Sequence, residues 1–128
     1  MVKPKPTPPA VLVIEDDQDT RDLYVTVLSI SGFTVQTART GMEGFTRACE
    51  SRPGVILTDL GLPTIDGWEL VRRLKADART ADIPVIVITG RTTSELDEMA
   101  SSLGTRVLLK PCPPDMLVSE VERVLSAD

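Results

Sequence analysis

The stretch Val55-Ile56-Leu57-Thr58-Asp59-Leu60-Gly61-Leu62-Pro63 decides the fold. Val55 to Thr58 reads as a short strand buried on both faces, the kind found inside a parallel sheet. Asp59 ends the run. Pro63 and the Asp66-Gly67 pair then mark a loop that opens a helix carrying Leu70, Val71 and Leu74. Asp66 beside Gly67 is ordinary turn and cap chemistry. A carboxylate that follows a buried strand and precedes a proline loop is harder to read as structural.

The same alternation continues in both directions. Upstream, Ala10 to Ile14 is an all-apolar run, and Asp17 to Ser31 is helical, with Leu23, Val27 and Ile30 at helical spacing and Tyr24 and Leu28 beside them. Gly32 stops that helix. Phe33 to Thr37 is a second strand, and Gly41 to Glu50 a second helix with Met42, Phe45 and Cys49 inward. Downstream, Pro84 precedes a fourth strand, Val85 to Ile88. Thr92 to Leu103 is a helix with Leu96, Met99 and Leu103 on one face, and Val107 to Leu109 a fifth strand. Pro113 or Pro114 opens a last helix whose Leu117, Val121, Val124 and Leu125 face the core. Strands alternating with helices predict an α/β fold, a parallel sheet with helices on both faces. Right-handed crossovers reduce the topologies to a few.

In open α/β sheets ligands bind beyond the C-terminal ends of the strands. The residues there are Glu15, Asp16 and Asp17 after the first run, Asp59 after the third, Thr89 and Gly90 after the fourth, and Lys110 with Pro111 after the fifth. The second strand offers only Thr37 and Ala38. Carboxylates gathered at one edge repel one another, and a hard divalent cation relieves this. Oxygen donors without soft ligands point to Mg²⁺ or Mn²⁺. Lys110 supplies a compact positive charge for a carboxylate or phosphate oxygen, and Thr89 a hydroxyl donor. Each has a plainer reading. Asp17 serves equally as a helix cap, Thr89 as a strand-end hydroxyl, and Lys110 as a solvated surface charge. The conjunction at successive strand ends argues for a site.

Composition narrows the function classes. A chain of 128 residues is one domain, large enough to bury a core without disulfide or metal staples. Aromatics are few (Trp68, Tyr24, Phe33, Phe45), so the core rests on Val, Ile and Leu. A net charge of −5 argues against a nucleic-acid surface. No apolar run approaches the roughly 20 residues a bilayer requires, and no signal peptide is evident. Cys49 and Cys112 lack metal-ligand spacing and suggest a reduced, cytoplasmic protein. The absence of histidine excludes a histidine base, ligand or phosphohistidine in this chain. Residues 1–9, with Pro4, Pro6, Pro8 and Pro9, read as an extended or disordered tail ahead of a domain over 10–126.

The order Asp16-Asp17, Asp59-Leu60-Gly61-Leu62-Pro63 with Asp66-Gly67, Thr89-Gly90 and Lys110-Pro111 resembles the response-regulator receiver domain over about residues 10–126. The resemblance implies a flavodoxin-like, doubly wound five-stranded parallel sheet of order 2-1-3-4-5 with five helices. It makes Asp59 the phosphoacceptor. Asp16 and Asp17 would hold Mg²⁺ (or Mn²⁺), directly or through water, with Asp59 and the Gly61 carbonyl; which of the two acids ligates directly stays open. Glu15 is expected to point elsewhere. Lys110 would pair with the phosphoryl group, Thr89 would move toward it, and the Lys110-Pro111 bond would be cis. The donor would be a phosphohistidine on a histidine kinase or histidine phosphotransfer protein. The output would lie in a downstream protein or a fused domain, with no nucleic acid or membrane engaged through this domain.

The sequence departs from the family pattern in the fifth strand. Val107 stands three positions before Lys110, where an aromatic residue is common, and the Gly104 to Lys110 segment is about one residue short. Gly61 and Arg91 occupy positions that influence dephosphorylation in the family. Two other readings compete. One is a receiver-fold interaction module not switched by phosphate. The other is a haloacid-dehalogenase-like phosphatase, which would need a second Asp where this chain has Gly61 and a substrate cap that nothing here supplies.

Overall fold

The computed structural model describes residues 10–62, 65, 67–90 and 94–126, with side chains described for all of these except 94–96. The elements alternate strictly: β1 (Ala10–Ile14), α1 (Gln18–Ile30), β2 (Thr34–Ala38), α2 (Gly41–Ser51), β3 (Val55–Asp59), α3 (Gly67–Ala76), β4 (Val85–Thr89), α4 (Ser94–Leu103), β5 (Arg106–Leu109) and α5 (Pro114–Ser126). All strand pairs are parallel, in the order β2-β1-β3-β4-β5. The expected doubly wound α/β fold is therefore present. The tail at 1–9, Pro63, Asp66, Arg91 and the start of the fourth helix at Thr92 lie outside the described residues, as does Leu96 as a side chain.

Alternation along the strands divides the core into two layers. Leu12, Ile14, Ile56, Val85 and Val87 pack on one face of the sheet with Ala48 of α2, Leu70, Val71 and Leu74 of α3, and Ala100 of α4. Val11, Val13, Val55, Leu57, Ile86 and Ile88 pack on the other with Tyr24 and Leu28 of α1 and Leu117, Val121 and Val124 of α5. Full burial of one such aliphatic side chain contributes about 1.5–3 kcal/mol, so the central strands β1, β3 and β4 dominate the stability. Gly44 lets α2 lie directly on β1, because a Cβ there would collide with the Ile14 side chain. No helix among the described residues is long and apolar enough to cross a membrane.

Two helix faces differ from the sequence expectation. On α1 the buried stripe is Arg21, Tyr24 and Leu28, whereas Leu23 and Ile30 are exposed. Both sets obey helical spacing; the stripe actually buried begins with an arginine, whose guanidinium bonds a main-chain carbonyl. On α2 the inward residues are Gly41, Gly44, Ala48 and Cys49, and Met42 is exposed. The glycines form the inward face because the helix sits too close for larger side chains. The strand β2 begins one residue later than expected, at Thr34.

Candidate functional site

Register brings the strand-end residues together. Ile14 pairs with Thr58, so Glu15 and Asp59 leave the sheet side by side. Asp59 pairs with Ile88 and Thr89 with Leu109, which brings Thr89 and Lys110 to the same edge. The Lys110 N–H donates to the Thr89 carbonyl at 2.8 Å, and the Leu60 N–H to the Ile88 carbonyl at 3.1 Å. The order β2-β1-β3 makes the β1/β3 boundary the point where the chain changes winding direction, which is where such folds bind ligands.

Asp59 is held on both oxygens. The Lys110 ammonium donates to Oδ2 at 2.8 Å, and the Gly61 N–H donates to Oδ1 at 3.1 Å. Burial alone would raise the Asp59 carboxyl, but the Lys110 hydrogen bond, the Gly61 N–H and the Lys110 charge outweigh it and hold the group below the usual carboxylate range. Lys110 shows the converse: partial burial works against its charge, and the bond to Asp59 more than restores it, so its pKa is raised. The Lys110-Pro111 bond is cis, as the resemblance implied.

Glu15 does not point away, as had been expected. Its side chain is buried, with Oε1 at 3.7 Å from the Lys110 Nζ. Glu15, Asp16 and Asp59 each offer a carboxylate oxygen, and these atoms lie within 4.8 Å of one another. Asp17 stands outside this group. It is the N-cap of α1, accepting the Thr20 N–H at 2.9 Å and the Thr20 hydroxyl at 2.6 Å. The capping alternative for Asp17 is thus the geometry present. The acidic pair at the sheet edge is Glu15-Asp16, one residue earlier than the sequence reading placed it. The signal was available: β1 ends at Ile14, so Glu15 is the first residue beyond the strand.

These donors suit a hard divalent cation. Oε1 of Glu15 is fully buried and has no hydrogen-bond partner, a costly state for a carboxylate oxygen. Oε2 is engaged, accepting the Asp17 N–H at 3.1 Å. Burial pushes the Glu15 carboxyl up to about 7, and the adjacent Asp59 charge adds to the shift. The Lys110 ammonium faces two of the three carboxylates, Glu15 and Asp59, and the donor atoms of all three are oxygen, the set expected for Mg²⁺.

Thr89 is buried at the end of β4. A Cβ added at Gly61 would meet nothing within 4 Å among the described residues. Gly67 does the opposite job: a Cβ there would lie 2.7 Å from the Leu60 Cα and 2.8 Å from the Asp59 carbonyl oxygen. Its absence lets the start of α3 close on the backbone of Asp59 and Leu60. Val107 is half-buried against the core layer formed with α2, α3 and α4. Sequence reasoning missed Arg21, whose buried guanidinium donates to the Glu15 carbonyl at 2.9 Å and the Asp16 carbonyl at 3.4 Å.

Comparisons with known proteins agree with this geometry. The chain is 34% identical over 119 residues to the DNA-binding dual master transcriptional regulator RpaA of a Synechocystis species, covering 91% of this chain and 49% of that protein. It is 36% identical over 122 residues to the transcriptional regulatory protein PrrA of Mycobacterium bovis, covering 93% and 51%. The chain thus spans about half the length of these curated relatives. Chemotaxis response regulator CheY4 of Vibrio cholerae superposes with a TM-score of 0.85 at 28% identity, over 92% of this chain and 99% of that one. Residues 11–122 match the response regulator receiver domain family, and the chain belongs to that family.

Proposed function

We propose that Asp59 accepts a phosphoryl group from a phosphohistidine on a partner kinase or phosphotransfer protein, as the receiving step of a two-component signal. The observation that carries this reading is the Asp59 carboxylate held ionised by Lys110 at 2.8 Å beside the orphaned Glu15 oxygen. Glu15, Asp16 and Asp59, with the Gly61 carbonyl, would hold Mg²⁺ or Mn²⁺; Asp17 is engaged as a cap and is not in this set. Such a cation, when bound, offsets the negative charge of the carboxylates and of the incoming phosphoryl oxygens.

The chain's own residues supply the rest. A carboxylate oxygen of Asp59 attacks phosphorus in line and forms the new O–P bond. The P–N bond of the donor breaks, and its electron pair leaves with the imidazole. Lys110 can follow the charge from Asp59 to the phosphoryl oxygens without moving far, because it already sits on the acceptor. The Thr89 hydroxyl, at the neighbouring strand end, is the donor placed to sense the new oxygens. Gly61 puts no side chain two residues beyond Asp59.

The phosphohistidine donor must lie outside these 128 residues, which hold no histidine. We place its docking on the exposed face beside the site, where Thr20, Leu23, Pro111 and Cys112 border a cleft that Lys110 also lines. Leu23 is half exposed there with no part in the core. The relatives' names mark them as transcriptional regulators; the signal from Asp59 would pass to a fused output domain or to a downstream target protein. Incubation with acetyl phosphate and Mg²⁺ tests the reading. A mass gain of one phosphoryl group supports it, and none under any divalent cation refutes it in favour of an interaction module that phosphate does not switch.

A further inference from the structure

Arg21 is the one arginine of α1 on the buried face, in line with Tyr24 and Leu28. Burying a guanidinium is costly, and such groups are normally paired with a carboxylate. Among the described residues Arg21 makes no ion pair. Its bonds go to main-chain carbonyls of the β1–α1 connection. The guanidinium Nη1 donates to the carbonyls of Glu15 at 2.9 Å and Asp16 at 3.4 Å, and its own N–H donates to the carbonyl of Asp17 at 2.9 Å. A single residue therefore holds the three successive carbonyls of the acidic connection.

The opposite side of that connection is held by Glu15. Its Oε2 accepts the Asp17 N–H at 3.1 Å. The Asp16–Asp17 peptide is trans, so its carbonyl and its N–H point in opposite directions. Arg21 holds the first and Glu15 the second. The peptide is clamped between them, and the clamp fixes the Glu15 carboxylate with Oε2 on the backbone and Oε1 toward Lys110.

We propose that Arg21 is a positioning residue for the divalent-cation site: it acts through the backbone to orient the Glu15 and Asp16 carboxylates. This rests on the reading of Glu15, Asp16 and Asp59 as the ligand set. Groups that orient metal ligands from outside typically matter by about 10- to 100-fold in affinity. The sign separates positioning from charge. Arg21 carries a positive charge beneath an acidic site, so electrostatics alone would make its removal tighten cation binding. Loss of the clamp would weaken it.

The test is Mn²⁺ binding to the whole chain, followed by the electron paramagnetic resonance signal of free Mn²⁺, for wild type, Arg21→Met and Arg21→Lys. Each is measured well below its own melting temperature, so that a fall in stability does not enter the readout. The expected result is saturable wild-type binding, weakened roughly tenfold or more in Arg21→Met, with partial recovery in Arg21→Lys. Affinity in Arg21→Met equal to or tighter than wild type overturns the proposal while leaving the ligand set standing. Absence of binding in wild type overturns the ligand set and the proposal with it. Should Arg21→Met fail to fold, Arg21→Lys decides: its ammonium keeps the charge but cannot span both carbonyls in one planar fork, so several-fold weaker binding supports positioning and wild-type affinity refutes it.

Discussion

The Lys110 ammonium lies 2.8 Å from the Asp59 carboxylate, joining the end of β5 to the end of β3 across β4. The contact holds Asp59 ionised and keeps a positive charge where phosphoryl oxygens would arrive. Replacing Lys110 with Met should slow phosphoryl acceptance from acetyl phosphate by at least about tenfold, the scale of removing one oriented charge from a reacting centre. Rates of mass gain at fixed Mg²⁺ measure this. An unchanged rate would show that Lys110 is only a structural partner of Asp59.

Glu15 gives the metal-free protein an unusual pH response. Burial raises its carboxyl from the ordinary 4.5 to about 7. Between these values the folded protein keeps a proton that the unfolded chain has released. Stability must therefore fall as pH rises through that window. In EDTA, the urea midpoint should decline from about pH 5 to about pH 7, and Glu15→Gln should flatten the decline. Asp59, whose pKa is lowered, contributes in the opposite sense only at more acidic pH. A wild-type midpoint that climbs across the window would contradict this assignment.

Two glycines that follow Asp59 should respond differently to alanine. At Gly67 the added Cβ would press on the backbone of Asp59 and Leu60 at 2.7–2.8 Å. Backbone cannot yield cheaply, so Gly67→Ala should lose about 1–3 kcal/mol and also slow phosphoryl acceptance, because the strain falls on the acceptor residue. At Gly61 nothing lies within 4 Å, and Gly61→Ala should stay within about 0.5 kcal/mol of wild type. Chemical denaturation of both variants checks the pair. Equal losses would mean that the start of α3 adjusts freely.

Leu23 separates docking from chemistry. It is exposed beside the site and outside the core. Leu23→Asp should leave phosphorylation by acetyl phosphate near wild type while slowing transfer from a cognate phosphohistidine protein by about tenfold or more, as loss of a central apolar contact does at other interfaces. Equal slowing with both donors would place the effect in the site itself, and no slowing with either would remove this face from docking.

The sheet and its order were readable because each strand of the centre is a short apolar run bounded by turn residues, and because chemistry-bearing residues recur just past those runs. Asp59, Thr89 and Lys110 could be named on that basis. Glu15 was readable as the first residue beyond its apolar run, but the family motif assigned the metal-holding pair to Asp16 and Asp17 and expected Glu15 to point elsewhere. The structure ends β1 at Ile14, places Glu15 in the site, and gives Asp17 to the helix as its cap. Arg21 escaped notice for a related reason. Apolar periodicity on α1 favours Leu23, Val27 and Ile30, and a buried arginine does not register as an inward residue. Val107, noted in sequence as a departure, proves to be a half-buried aliphatic contact of the α3 and α4 layer.

The central claim is that Asp59 is the residue that accepts the phosphoryl group. Its most direct test is to treat the protein with acetyl phosphate and Mg²⁺, reduce with borohydride, digest, and map the modified residue by mass spectrometry. An aspartyl phosphate is an acyl phosphate and reduces to homoserine, so the expected result is homoserine at position 59 alone, absent without phosphodonor and absent in Asp59→Asn. Homoserine at another acid, or phosphorylation of Asp59→Asn to the wild-type extent, would contradict the assignment.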